Sequence, residues 1–341
     1  MSQFIPALEA AGAKVRVSPF FSDAYLRGFF ASGAKSKLHT FLGYARRLAA
    51  VSADRADLVW IEKEVFPYLP GWMERLIGLR RRPYVVDYDD AIFHNYDLSA
   101  SGPVRSLLAH KLDPLLAGSA LVTAGNAYLA DYAARHGART VIRVPTVVEA
   151  ARYSTQRKTA DDAVRVGWIG TPANARYLTP VIEAINRLTP EIPLRLVTMG
   201  AAQLPGLEAP QESHPWSEAT EAEMAASIDI GVMPLTDTPW ERGKCGYKLI
   251  QYMAAGRPVI ASPVGVNEVI VTPDIGFLAD SVDEWVQALR ILAEDAGLRT
   301  RLGTAARHKV EKTYSAEVIA PTLVQKFAEL IDRGDARECI R

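Results

Sequence analysis

Eight consecutive residues, Glu241-Arg-Gly-Lys-Cys-Gly-Tyr-Lys248, carry four charged groups around two glycines. Gly243 and Gly246 let the backbone turn freely. Lys244 and Lys248 flank the start of a helical pattern, where unpaired N–H groups and the positive end of the helix dipole attract anions. The chemistry this spacing suits is the holding of a phosphorylated ligand. A solvated charged loop is the plainer reading of the same residues. A second anion site is legible in Trp168-Ile-Gly-Thr-Pro-Ala-Asn-Ala-Arg-Tyr177. There Gly170 and Thr171 follow an apolar run and Arg176 lies near the next helix start, so N–H groups and a guanidinium can converge on a diphosphate.

A third constellation is Val86-Asp87-Tyr88-Asp89-Asp90 followed by His94. Clustered carboxylates repel one another and raise at least one pKa, which suits a proton acceptor working near neutrality. Asp89, Asp90 and His94 are the candidates to orient or deprotonate a hydroxyl. The same cluster would also suit a divalent cation, and Asp90 alone suits a helix cap. Lys63 and Glu64, at the end of another apolar run, read as a further pair at the same level, or as a solvent salt bridge.

Short apolar runs must position these groups. Residues 228–235 end a buried strand at Pro234, and Leu249, Ile250, Met253 and Ala254 share one side of a helix that Gly256 and Pro258 stop. Val259 to Ala261 then reads as the next strand, completing strand, crossover helix and strand. The pattern repeats along the chain. In the first half 15–19, 57–62, 84–88, 120–124 and 140–144 read as strands, with helices at 41–52 and 104–116. In the second, 164–169, 194–199, 228–233, 258–261 and 276–278 read as strands, with helices at 179–188, 221–227 and 282–293. This alternation predicts an α/β protein of two doubly wound domains. A polar stretch at 149–162 marks the hinge, giving domains at 1–155 and 156–315, with a terminal segment at 316–341.

Residues 251–262, Gln-Tyr-Met-Ala-Ala-Gly-Arg-Pro-Val-Ile-Ala-Ser, resemble the second half of the donor-binding signature of glycosyltransferase family 4, E-G-F-G-x-x-x-x-E-A-M-A-x-G-x-P-V-V-A-S. The resemblance continues through Gly265, Glu268-Val-Ile270 and Gly276-Phe-Leu278, and through Gly303 to Ser315. Pro145 to Tyr153 is similar to the family's interdomain segment. On this register Gly246 falls on the second glycine, Gly243 on the first glutamate, and Gln251 on the second, where it would hydrogen-bond a ribose hydroxyl. Glu241 stands two residues upstream of the first acidic position. Asp89 and Asp90 fall on a His-Asp pair that relatives often carry, and Thr171 replaces an arginine, leaving Arg176 or Lys248 to substitute.

The resemblance implies two facing Rossmann-like domains of GT-B type and transfer with retention from a nucleotide diphosphate sugar to a glycan, a lipid or another hydroxyl acceptor. No cofactor or metal is expected, so Arg176, Lys244 and Lys248 would stabilise the leaving diphosphate. It also implies a final helix crossing back to the first domain. The chain opens on Met-Ser-Gln-Phe-Ile-Pro-Ala-Leu, which reads as the first helix, so a first strand present in relatives is expected to be missing. A catalytically weak nucleotide-sugar-binding or scaffolding protein is the alternative. A dehydrogenase is disfavoured, since no G-x-G-x-x-G follows a strand.

The 341 residues balance 39 Lys plus Arg against 39 Asp plus Glu, which argues against nucleic acid as a partner. Up to residue 150 the balance is 18 against 14, leaving 21 against 25 beyond it. The basic half interleaves Arg and Lys with Phe, Trp and Leu at 25–47 and 72–82. That mixture suits peripheral contact with an anionic membrane, and equally a solvated helix face. Two cysteines, Cys245 and Cys339, offer no disulfide framework, and no apolar run is long enough to span a bilayer, so a cytoplasmic location is expected.

Overall fold

The computed structural model describes residues 2–22, 25, 28, 36–53, 55–80, 82–156 and 162–338. They divide into two compact units, Met1–Val144 with Ala320–Arg341, and Pro145–Ile319.

The first unit is built on four parallel strands, β1 (Val59–Glu62), β2 (Tyr84–Tyr88), β3 (Leu121–Ala124) and β4 (Val141–Arg143), which lie side by side in chain order. Val59 pairs with Tyr84, Val85 with Leu121, and Val122 with Val141. Val85, Val86 and Val122 are wholly buried, as strands covered on both faces require. Trp60 packs edge-on against Phe327 of the terminal helix Ala316–Glu338, at 5.1 Å between ring centroids.

Two expectations fail in this unit. Residues 15–19 form no strand, and Val17 is 68% exposed. Their alternation of valines with Arg16 and Ser18 imitates a strand, but no strand among the described residues pairs with it, and an isolated extended segment is not stable. The helix expected at 104–116 splits into Gly102–Leu108 and Asp113–Gly118. Pro114 cannot continue a preceding helical turn yet suits the first turn of a new one.

The second unit holds six parallel strands, β5 (Val164–Ile169), β6 (Leu194–Met199), β7 (Gln211–His214), β8 (Ile230–Met233), β9 (Val259–Ala261) and β10 (Gly276–Leu278), in the order β10-β9-β8-β5-β6-β7. One apolar layer gathers around Leu249, Ile250, Tyr252 and Val310, the other around Trp168, Ile185, Leu196 and Trp285. Strand β7 escaped the sequence reading because Gln-Glu-Ser-His has no apolar run; it is a polar edge whose ladder comes from β6.

This unit begins at Pro145, ahead of the boundary expected at residue 155. Val148 bridges Ser315, and Arg307 donates to the carbonyls of Ala150 and Tyr153, at 2.9 and 3.1 Å. These bonds tie the connecting segment to the helical layer of the second unit. Among the described residues no helix is long and apolar enough to cross a membrane.

Candidate active site

The chain builds β5, β6 and β7 outward in one direction, then returns to place β8 on the other side of β5 and continues to β9 and β10. The order therefore reverses between β5 and β8, and ligands of open parallel sheets bind beyond the strand C-termini at such a reversal. Gly170 and Thr171 follow β5 there, and the loop that carries Glu241, Lys244 and Gly246 follows β8. At the end of β6, Gly200 has φ +88° and packs its backbone on the Gly170 carbonyl, so that a Cβ on Gly200 would collide with that oxygen. Trp216, 58% exposed, stands beside Gly200.

Gly246 caps the helix Tyr247–Ala254 in the left-handed conformation, φ +69° and ψ 19°, and a Cβ there would run into Ile270. Only glycine meets both conditions. The helix start is thereby fixed close under the loop, with the N–H groups of its first turn lacking partners within the helix. Lys248 lies in that first turn with its ammonium 5.0 Å from the centre of the Trp168 ring. Among the described residues it has no carboxylate partner. Burial, with the Lys244 charge nearby, pushes its pKa down to about 8. A half-buried cation beside a second cation at a helix start is a site that an anion would relieve.

Glu241 sits on the short helix Pro239–Arg242 and is buried. Its carboxylate accepts hydrogen bonds from the hydroxyls of Tyr177 and Thr238. Tyr177 in turn accepts from the exposed Arg176 guanidinium at 2.9 Å, which also lies over its ring at 4.9 Å. Glu241 and Arg176, 65 positions apart in the chain by their numbering, are thus joined through one phenol. Arg242 is turned to Asp237 in a two-pronged pair at 2.6 and 2.8 Å.

Gln251 does not join this group. It is 1% exposed, and its amide donates to the Tyr153 hydroxyl at 3.2 Å. Glu221 shares the same interior; burial raises its pKa, against the hydrogen bond it receives from Gln251. Tyr247 donates to Glu221 from another side at 3.4 Å. The placement fits Gln251 to a packing role, in contrast to the ribose contact that the sequence register implies. A neutral amide beside a buried carboxylate avoids the like-charge repulsion that a glutamate would bring.

In the first unit the carboxylates also gather at the strand ends. Asp89 pairs with Lys63 at 3.3 Å, and Asp90 accepts from the Ala91 N–H at 3.1 Å. Asp87 is the group that titrates unusually. Burial raises its pKa to about 6, with Asp89 and Glu62 adding to the rise and a hydrogen bond from the Thr123 hydroxyl opposing it. The sequence places Asp87 in the cluster without singling it out, since burial alone separates it from its neighbours. His94 is turned inward: its Nδ1 lies 2.7 Å from Asp97 and its Nε2 2.7 Å from the Tyr128 hydroxyl. With both ring nitrogens engaged it has no lone pair or proton to offer a ligand.

Backbone strain marks the neighbouring loop. Lys63 and Tyr68 have φ of +70° and +58°. A buried polar core holds them: Glu74 accepts from the N–H groups of Val65 and Phe66, both at 3.0 Å, and Lys111 bridges Glu74, Glu64 and the Phe66 carbonyl. Glu64, expected with Lys63 either to reach the ligand site or to form a solvent salt bridge, is instead part of this anchor. Left-handed non-glycine residues persist only where surroundings over-determine them, and they concentrate at functional loops.

Two parallel-sheet units of this construction form an α/β fold that matches GT-B glycosyltransferase structures. Residues 163–295 match the family described as Glycosyl transferases group 1. No curated protein matches the chain. A sucrose-phosphate synthase from Thermosynechococcus elongatus is 17% identical, with 88% of this chain and 81% of that one covered, at a TM-score of 0.67. Anabaena HepE, solved with UDP and glucose, is 14% identical over 86% and 83% of the two chains, at 0.66. A UDP-forming trehalose-phosphate synthase from Burkholderia xenovorans is 12% identical over 88% and 80%, at 0.58. At such identities the likeness establishes the fold.

Proposed function

We propose that the protein is a nucleotide-sugar-dependent glycosyltransferase whose second unit binds the donor and whose first unit binds a hydroxyl acceptor. The observation that carries this reading is Lys248, a half-buried cation without a carboxylate partner among the described residues, at the helix start beside the β5–β8 reversal. A nucleoside diphosphate supplies the missing charge. Lys244, Lys248 and the first-turn N–H groups hold the diphosphate and take up the negative charge that grows as the glycosidic bond to it breaks. No metal is assigned to this step. Glu241, held by Tyr177 and Thr238, is assigned to the sugar end of the site, and Arg176 lends charge through Tyr177. Trp216 and the Met233-Pro234 end of β8 are suited to the base.

On the acceptor side, Asp87 takes the place that the sequence gives to Asp89, Asp90 or His94, because a carboxylate with a pKa of about 6 can accept a proton near neutrality. Transfer with retention, family 4 membership and a glycan or lipid-linked acceptor from cell-surface polysaccharide or glycolipid synthesis complete the proposal. It includes a cytoplasmic protein resting on an anionic membrane. Leu38, Phe41 and Leu48 are exposed on the helix Lys37–Ala53 that also carries Arg46 and Arg47, and Trp72 and Leu79 are exposed further on. Most of 25–35, the first part of the 25–47 stretch, lies outside the described residues. Sedimentation with anionic vesicles, compared with neutral ones, tests the contact.

Incubation with labelled nucleotide sugars tests the main reading. Release of nucleoside diphosphate that depends on an added acceptor is the expected result. A second reading, a protein that binds nucleotide sugars but turns them over poorly, is favoured by Gly243 at the first acidic position of the signature and by the buried Gln251. Tight binding with no release across donors and acceptors would establish it.

A further inference from the structure

We propose that His110, Asp113 and His136 form a binding site for a borderline divalent transition-metal ion such as Zn2+, separate from any donor or acceptor chemistry. The three side chains offer one ligand atom each, all within 4.8 Å of one another. Asp113 already spans the two rings: one carboxylate oxygen lies 3.1 Å from His110 Nδ1, and the other lies 2.8 Å from His136 Nδ1. Two imidazoles and a carboxylate are the donor set of zinc sites that keep a water in the fourth position. Nitrogen donors favour Zn2+, Ni2+ or Cu2+ over Mg2+ and Ca2+, which prefer oxygen.

The ligands come from two elements. His110 belongs to the turn that leads into the helix Asp113–Gly118, with the Asp113 N–H donating back to the His110 carbonyl at 3.3 Å. His136 follows the helix Ala127–Arg135, where its N–H bonds the Tyr132 carbonyl at 3.0 Å. Its ring lies stacked on Tyr132, 4.0 Å between centroids and 19° between planes, which fixes the direction in which its nitrogens point. The ring centroids of His110 and His136 are 6.0 Å apart. In the metal-free state each Nδ1–H donates to Asp113. When the ion binds, each ring gives up its Nδ1 proton to solvent and takes its single proton on Nε2, so that the bare Nδ1 ligates the metal while the carboxylate remains the third ligand. Side-chain exposures of 78% for His110, 36% for Asp113 and 23% for His136 leave an open path for the ion and for a water ligand. The bound ion would staple the turn before β3 to the helix after it.

The test uses the untagged full chain, stripped with a chelator and titrated with zinc chloride by calorimetry. One ion per chain at micromolar affinity or tighter is expected, with no matching response to magnesium. His110→Ala removes an exposed ligand that the fold does not require, and it should weaken binding at least tenfold while leaving the metal-free melting temperature unchanged. Asp113→Asn should do the same to binding. Cobalt(II) should give visible d–d bands in the parent protein that His110→Ala loses. Zinc affinity unaffected by His110→Ala, or equal affinity for magnesium, would overturn the site and leave a hydrogen-bonded His-Asp-His cluster.

Discussion

The two units each carry one charge at their strand ends that the fold holds at a disadvantage, and the two charges have opposite sign. In the second unit it is Lys248, pushed down to about 8 by burial and by Lys244. In the first it is Asp87, raised to about 6 by burial and by Asp89 and Glu62. Other charged groups nearby are satisfied: Asp89 with Lys63, Glu64 and Glu74 with Lys111, Glu241 with Tyr177 and Thr238. The difference in sign teaches what each unit lacks. Lys248 is relieved by an anion, Asp87 by a proton, which is the division between a diphosphate site and a proton-accepting site.

Removing the second-unit charge should produce the largest effect. Lys248→Met should weaken nucleoside diphosphate binding by about 10- to 100-fold, the worth of a charged hydrogen bond, while raising the melting temperature of the unliganded protein. A variant that loses stability along with affinity would mean that Lys248 is a structural cation.

Asp87→Asn probes the other side. Because the folded-state pKa lies above the ordinary carboxylate value, the fold binds the proton more tightly than the unfolded chain does. The stability this contributes is present below about pH 4 and is lost as pH rises to about 6. The asparagine variant should therefore be more stable than the parent at pH 8, by roughly 2 kcal/mol, with little difference at pH 4. Chemical denaturation at the two pH values measures it, and equal changes at both would show that Asp87 titrates normally.

Gln251→Glu should have the smallest effect on nucleotide affinity, while costing roughly 3 kcal/mol of stability at neutral pH by burying a second carboxylate beside Glu221. If the variant instead gains affinity for nucleotides without losing stability, the side chain reaches the ligand, and the family register is the better guide to its role.

Strand bounds were legible where burial on both faces made a long apolar run: residues 84–88, 164–169 and 194–199 form strands as the pattern predicts, while the strands expected at 120–124, 228–233 and 258–261 begin one or two residues later. Polar β7 was invisible because its place in the sheet depends on a neighbour, and residues 15–19 misled because alternation cannot supply a partner. The same boundary divides the site. Lys244, Gly246 and Lys248 were legible because helix start, glycine and charge are local features. The Tyr177–Glu241 contact joins residues 64 positions apart, and neither the burial that selects Asp87 nor the inward turn of His94 and Gln251 leaves a trace in local spacing. These depend on tertiary packing.

The most direct test of the diphosphate site is the pH dependence of nucleoside diphosphate affinity in the parent protein, measured calorimetrically from pH 7 to 9.5 with uridine, guanosine, adenosine and thymidine diphosphates. For the base that binds, the dissociation constant should stay level up to about pH 8 and then climb by up to tenfold per unit as free Lys248 loses its proton. Below that pKa, Lys248→Met should bind more weakly than the parent, with no such climb. A dissociation constant that stays flat across the range in the parent protein, or the same climb in Lys248→Met, would contradict the assignment.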